Sequence, residues 1–183
     1  FADTSLTVES GALFRGTAGT SGDGGFLELS AKDTVTLGAI DVDLSARDGK
    51  AGLVYIDPAN IVFGTGGSAN VILNGTDALL EATNSITIAG DGIVDTRKFD
   101  RDANGGVMSA TNPSTGNSGN ITLIAPSIAV RGKLLAGVSE GSSYSAGDVT
   151  LTASQSQTLI AGMASASAGI KVSGTITGRD ITM

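Results

Sequence analysis

Apolar and polar residues alternate in short runs from one end of the chain to the other. The runs include SLTVESGALF (5–14), GFLELSA (25–31), TVTLGAIDVDLSA (34–46), LVYIDPANIVFG (53–64), NVILNG (70–75) and ALLEATNSITIAGDGIVDT (78–96). After a polar gap come GNITLIAPSIAVRGKLLAG (119–137), GDVTLTA (147–153), TLIAGMA (158–164), GIKVSGTITG (169–178) and DITM (180–183). An apolar period of two puts one set of side chains on each face of an extended chain, so each run predicts strand; no segment sustains the 3.6-residue period of a helix.

The runs share a grammar. GFLELSA, GNITLIA and GDVTLTA each read Gly, any, apolar, any, Leu, any, Ala, starting at Gly25, Gly119 and Gly147. Gly147 follows Gly119 by 28 positions, and GLVYIDP starts at Gly52, 27 positions after Gly25. A second phrase of short strand, Gly turn and short strand recurs as SITIAGDGIVD, SIAVRGKLLAG and GIKVSGTITG. Self-similarity at such a period predicts a solenoid. The expected fold is all-β, a right-handed parallel β-helix, with an antiparallel sandwich or barrel as the alternative. Hairpin signals for that alternative exist at Asn74-Gly75 and after Asp23, Asp48 and Asp91, but the phrases are more alike than hairpin partners need be.

At about 25 residues per coil and about 4.8 Å of rise, about seven coils would make a rod about 35 Å long. Ile121, Leu123, Ile128 and Val130 should point inward, and Thr122, Thr150 and Thr152 outward. Residues 97–118 read as a polar excursion from one segment spanning 1–183. The chain opens at Phe1 and closes on GRDITM, which reads as a strand just begun, so the expectation is a piece of a longer protein.

Composition narrows the chemistry. Gly contributes 27 residues, aromatics only 4%, and Ser and Thr together 40, which suits thin repetitive β structure. Without Cys or His there is no thiolate or imidazole metal site and no Ser-His-Asp arrangement. A formal net charge of −7 argues against nucleic acid and anionic membrane as partners. No stretch approaches the roughly 20 apolar residues of a membrane-spanning helix.

GNITLIAPSIAVRG, GDVTLTA and above all LVYIDPANIVFG resemble the filamentous-haemagglutinin-like exoproteins, bacterial adhesins exported by two-partner secretion. The resemblance covers most of the chain through degenerate repeat grammar, and IDPANI (56–61) is its most specific stretch. It implies a right-handed parallel β-helix, an extracellular or cell-surface location, and roles in adhesion, aggregation or biofilm. The Asn-Pro-rich motifs of that family's amino-terminal secretion domain are absent, which places the resemblance in a shaft or later segment.

Several positions carry candidate chemistry. In FDRDANGGV (99–107), Asp100, Asp102 and Asn104 followed by Gly105 match the opening of a calcium loop, and these three are the candidate Ca²⁺ ligands. Counting from Asp100, Thr111 stands at position 12 where a bidentate Glu would belong, so a full EF-hand is not expected. Asp41 and Asp43 alternate with Ile40, Val42 and Leu44 and should face outward together; Asp91 and Asp95 flank a turn near Arg97 and Lys98. Such carboxylates suggest a polysaccharide lyase or glycosidase as the alternative function. The tract 137–148, with Tyr144, reads as a turn or binding loop, GTGGSAN (64–70) matches no phosphate loop, and Asn74 and Asn120 fit the N-x-[ST] acceptor pattern.

The leading expectation is a non-enzymatic, structural and adhesive segment of a β-helical rod. Its faces would meet a host, matrix or carbohydrate surface, and its ends would continue into further repeats or self-associate. Ice or mineral binding ranks lower, because outward positions such as Glu28, Lys32, Asp41 and Asp43 are mixed.

Overall fold

The structure, a computed structural model, describes residues 1–19, 21–98, 115–138, 140–153 and 169–183. Across these described residues the chain winds through six coils of three strands each. The first coil is β1 (Ser5–Val8), β2 (Leu13–Arg15) and β3 (Phe26–Ser30); the second is β4 (Thr34–Leu37), β5 (Ile40–Asp43) and β6 (Leu53–Asp57). The third is β7 (Asn60–Phe63), β8 (Val71–Ile72) and β9 (Asp77–Glu81); the fourth is β10 (Ser85–Ile88), β11 (Ile93–Asp95) and β12 (Ile121–Ala125). The fifth is β13 (Ser127–Val130), β14 (Lys133–Leu135) and β15 (Val149–Ala153); the sixth is β16 (Gly169–Val172), β17 (Thr175–Thr177) and β18 (Ile181–Thr182).

Corresponding strands pair in parallel to form three six-stranded sheets: β1-β4-β7-β10-β13-β16, then β2-β5-β8-β11-β14-β17, then β3-β6-β9-β12-β15-β18. This is the right-handed parallel β-helix that the repeat predicts. The first positions of the first sheet stack as Ser5, Thr34, Asn60, Ser85, Ser127 and Gly169. Early steps of 29, 26 and 25 residues match the expected coil length, but each of the last two takes 42. These longer coils, one of which contains the polar excursion, reduce the expected seven coils to six. The expected strand at 158–164 lies outside the described residues.

Inward positions fuse into columns. Leu6, Val35, Ile61, Ile86, Ile128 and Ile170 form one on the first sheet, and Leu29, Ile56, Leu80, Leu123 and Leu151 form another on the third. Ile121, Leu123, Ile128 and Val130 are buried as expected. Each buried Ile or Leu contributes roughly 1.5–3 kcal/mol by leaving water, and because each coil buries its apolar edge only against its neighbours, stability is shared along the stack.

The glycine that opens the third-sheet phrase has a steric cause. A Cβ on Gly147 would lie 2.0 Å from the carbonyl oxygen of Gly119, and one on Gly52 would lie 2.3 Å from that of Gly25. The coil above thus passes too close for a side chain. At the same level β9 is preceded by Thr76, whose fully buried Oγ1 accepts the Leu44 N–H at 2.9 Å. Among the described residues, no buried side-chain nitrogen or oxygen lacks a partner.

Candidate functional site

The connections from the second sheet to the third all leave at one corner: 16–25, 44–52, 73–76, 96–120, 136–148 and 178–180. In their described residues these connections stack there as the strands do. Their described parts enclose a groove of about 630 Å³, lined among others by Thr17, Ser45, Arg47, Lys98, Asn117 and Tyr144. Loops that look short in most of the sequence thus converge on a single edge of the rod.

Behind Ser45 and Lys98, which line the groove, lies a polar cluster drawn from three successive coils. Asp43, at the end of β5, is 6% exposed. Its Oδ1 accepts from the Ser45 hydroxyl at 2.6 Å and the Ser45 N–H at 3.2 Å, and its Oδ2 accepts from Asn74 Nδ2 at 2.8 Å. The Lys98 ammonium lies 3.4 Å from Oδ1 and also donates to the Ser45 hydroxyl. Burial by itself pushes the Asp43 pKa up. The Ser45 hydroxyl, the Lys98 charge, the Asn74 amide and the Ser45 N–H together outweigh it and hold the carboxyl below its ordinary value.

Next to this cluster, Arg97 forks onto Asp95, with Nε to Oδ1 at 2.9 Å and Nη2 to Oδ2 at 2.6 Å. That bond raises the Arg97 pKa, against the opposing effect of burial. Further along the corner, Asp77 Oδ1 accepts both the backbone N–H and the Nδ2 of Asn120; Asn120 Oδ1 accepts the Asp148 N–H; and Asp148 forks with Arg179. Side chains here repeat the work of the strands, tying each coil to the next.

The structure revises several sequence expectations. The alternation around β5 holds, but Asp41 is only half-buried and Asp43 is buried, because Lys98 and Asn74 from later coils cover it. Asp95 does pair with Arg97, whereas Asp91 serves Thr65 on the preceding coil. Asn74 is fully buried and its amide is engaged, so it is no glycan acceptor; Asn120 is exposed. Thr122 and Thr150 are register partners on the outer face, and Thr152 is exposed. Tyr144 stands at the groove, 41% exposed. The segment 64–70 is the turn between β7 and β8, in which the Ser68 hydroxyl accepts the Leu37 N–H. Asp100, Asp102 and Asn104 lie outside the described residues; among those described, no group of three or more Asp, Glu, His or Cys side chains is arranged for a metal ion.

The sequence reading missed the partnership of Ser45, Asn74 and Lys98 with Asp43. The only signal available was the stacking itself: once coils are aligned, Asn74 falls directly beneath Asp43. No family model, no curated protein and no solved structure matches the chain.

Proposed function

We propose that this chain is a structural and adhesive segment of a secreted or surface-exposed bacterial β-helical rod. The observation that carries this reading is that columns buried in the middle of the stack are exposed at the first and last coils. Leu6 and Ile170 belong to one column and Val8 and Val172 to a second, and all four are partly or largely exposed at the ends. Phe14, Leu27 and Ile176 are likewise only partly buried. An apolar cross-section flanked by unpaired strand edges is a template for another coil, so a second copy or a further repeat fits at either end.

The adhesive part rests on the outer faces and the corner groove. The outward column of the third sheet runs Glu28, Tyr55, Leu79, Thr122, Thr150 and Thr182, a flat mixed strip suited to carbohydrate or matrix contacts rather than a regular threonine lattice. The surface location and the roles in aggregation and biofilm rest on the resemblance of IDPANI and its neighbouring phrases to the two-partner-secretion adhesins. The polysaccharide-acting alternative draws on Asp41, Asp43, Asp91 and Asp95; of these, Asp43 is held by Asn74 and Lys98, Asp95 by Arg97, and Asp91 by the Thr65 hydroxyl and N–H.

Sedimentation and negative-stain microscopy of the purified protein test this reading. Elongated species that lengthen with concentration, and retention on glycan- or matrix-coated surfaces, are the expected results. Compact monomers at every concentration, without surface retention, contradict it.

A further inference from the structure

The cluster under the groove joins an amine, a carboxamide and a carboxylate. Asp43 Oδ2 accepts from Asn74 Nδ2 at 2.8 Å, while Asp43 Oδ1 lies 3.4 Å from Lys98 Nζ. One carboxylate thus touches both nitrogens, each through its own oxygen. Ser45 keeps the amine there, accepting from Lys98 Nζ and donating to Asp43 Oδ1.

The Lys98 stem is guided by two glycines. A Cβ on Gly75, the residue after Asn74, would lie 2.9 Å from Lys98 Cδ, and one on Gly116 would lie 2.9 Å from Lys98 Cγ. The slot between them carries the stem past Gly75 and brings the amine to Ser45 and Asp43, whose other oxygen holds Asn74; Asn74 is fully buried and has a left-handed φ of 32°. A non-glycine residue in that conformation is uncommon and marks a position over-determined by its surroundings. Asn74 itself is closed to solvent, whereas Lys98 enters from the groove.

From this geometry we infer that Lys98 and Asn74 form an intramolecular isopeptide bond, with Asp43 as the proton relay. Lys98 Nζ gives a proton to Asp43 through the Oδ1 contact. The neutral amine attacks Cγ of Asn74, so the Nζ–Cγ bond forms as the carbonyl π electrons move to oxygen. The carbonyl re-forms, the Cγ–Nδ2 bond breaks, and Asp43 returns a proton to the departing Nδ2 through Oδ2. Nζ passes its second proton to the released ammonia, and the net change is ammonium plus carboxamide to secondary amide plus ammonium ion. Atoms, charge and electrons balance with no oxidant, reductant or co-reactant. The bond ties the third coil to the fourth, where the chain enters its first long insertion, and this inference does not depend on the adhesive reading.

Intact-mass spectrometry of the denatured full chain is the test. The expected mass is that of the sequence less one ammonia, and a protease digest should yield a branched peptide joining Lys98 to Asn74. Lys98→Arg keeps the charge and the pairing but cannot form the bond, so this variant, shown to be folded by circular dichroism, should have the full sequence mass. Asp43→Asn should leave most of the chain at full mass. A wild-type chain at its full sequence mass overturns the inference. So does an ammonia loss that persists in Lys98→Arg, which belongs to a succinimide at Asn74-Gly75.

Discussion

Asp91 holds Thr65 of the preceding coil by three hydrogen bonds. The Thr65 hydroxyl donates to Oδ1 at 2.6 Å, and its N–H is shared between Oδ1 and Oδ2 at 2.9 and 3.0 Å. Thr65 takes a φ of 29°, which β-branched residues rarely adopt, so the carboxylate stabilises a turn that the backbone alone would not choose. The Thr65 hydroxyl bond is the chief reason the Asp91 pKa lies below its ordinary value.

The sign of the pH effect follows. A carboxyl with a depressed folded pKa contributes stability above its unfolded value, about 3.9, and loses that contribution as pH falls through the lower folded value. Thermal unfolding across this acid range should show a falling melting temperature, and Asp91→Ala should flatten the fall while lowering stability at neutral pH. An unchanged acid limb in the variant would show that Asp91 contributes nothing there.

Two glycine substitutions should separate. Gly147→Ala places a methyl 2.0 Å from the Gly119 carbonyl oxygen and should cost about 1–3 kcal/mol by urea titration. Gly90→Ala meets nothing within 4 Å and should stay within about 0.5 kcal/mol of the parent.

Ile86 sits fully buried between Ile61 and Ile128 in the first-sheet column. Ile86→Ala should cost about 2–5 kcal/mol and Ile86→Val about 0.5–1.5 kcal/mol, the difference reflecting the cavity left in a closely packed stack. The same urea titration measures both.

The fold was legible because stacking imposes local rules. Gly25, Gly52, Gly119 and Gly147 recur because carbonyls of the adjoining coil or corner crowd each of them, and the alternation around Ile121 and Ile128 follows the pleat. Coil number was less legible, since an insertion after β11 or β15 lengthens a coil without altering the strands it joins. The corner cluster was illegible for a related reason. Asp43 and Lys98 stand 55 positions apart, and nothing local to either announces the other. Alternation states only which side of the sheet Asp43 leaves; it does not say that a later coil will cover it. Thr76, standing where the repeat favours Gly, was the nearest sequence sign that this corner departs from regular stacking.

If the ends act as templates, a charge placed there should disrupt association without unfolding the rod. Leu6→Lys on the first coil and Ile170→Lys on the last, both at partly buried positions, should each reduce the concentration-dependent growth seen by sedimentation velocity. Circular dichroism should remain that of β structure. Undiminished growth in both variants would assign association to another surface.

The stacking itself is tested most directly by spin-label distances along the third sheet. The chain has no native Cys, so labels go only where they are introduced. Glu28, Thr122, Thr150 and Thr182 share one outward column, with Thr122 three coils, Thr150 four and Thr182 five coils from Glu28. Labels on Glu28→Cys paired with Thr122→Cys, Thr150→Cys or Thr182→Cys should report backbone separations of about 14, 19 and 24 Å, a constant increment of about 4.8 Å per coil. Separations that do not rise in equal steps would contradict the parallel coil on which the whole account stands.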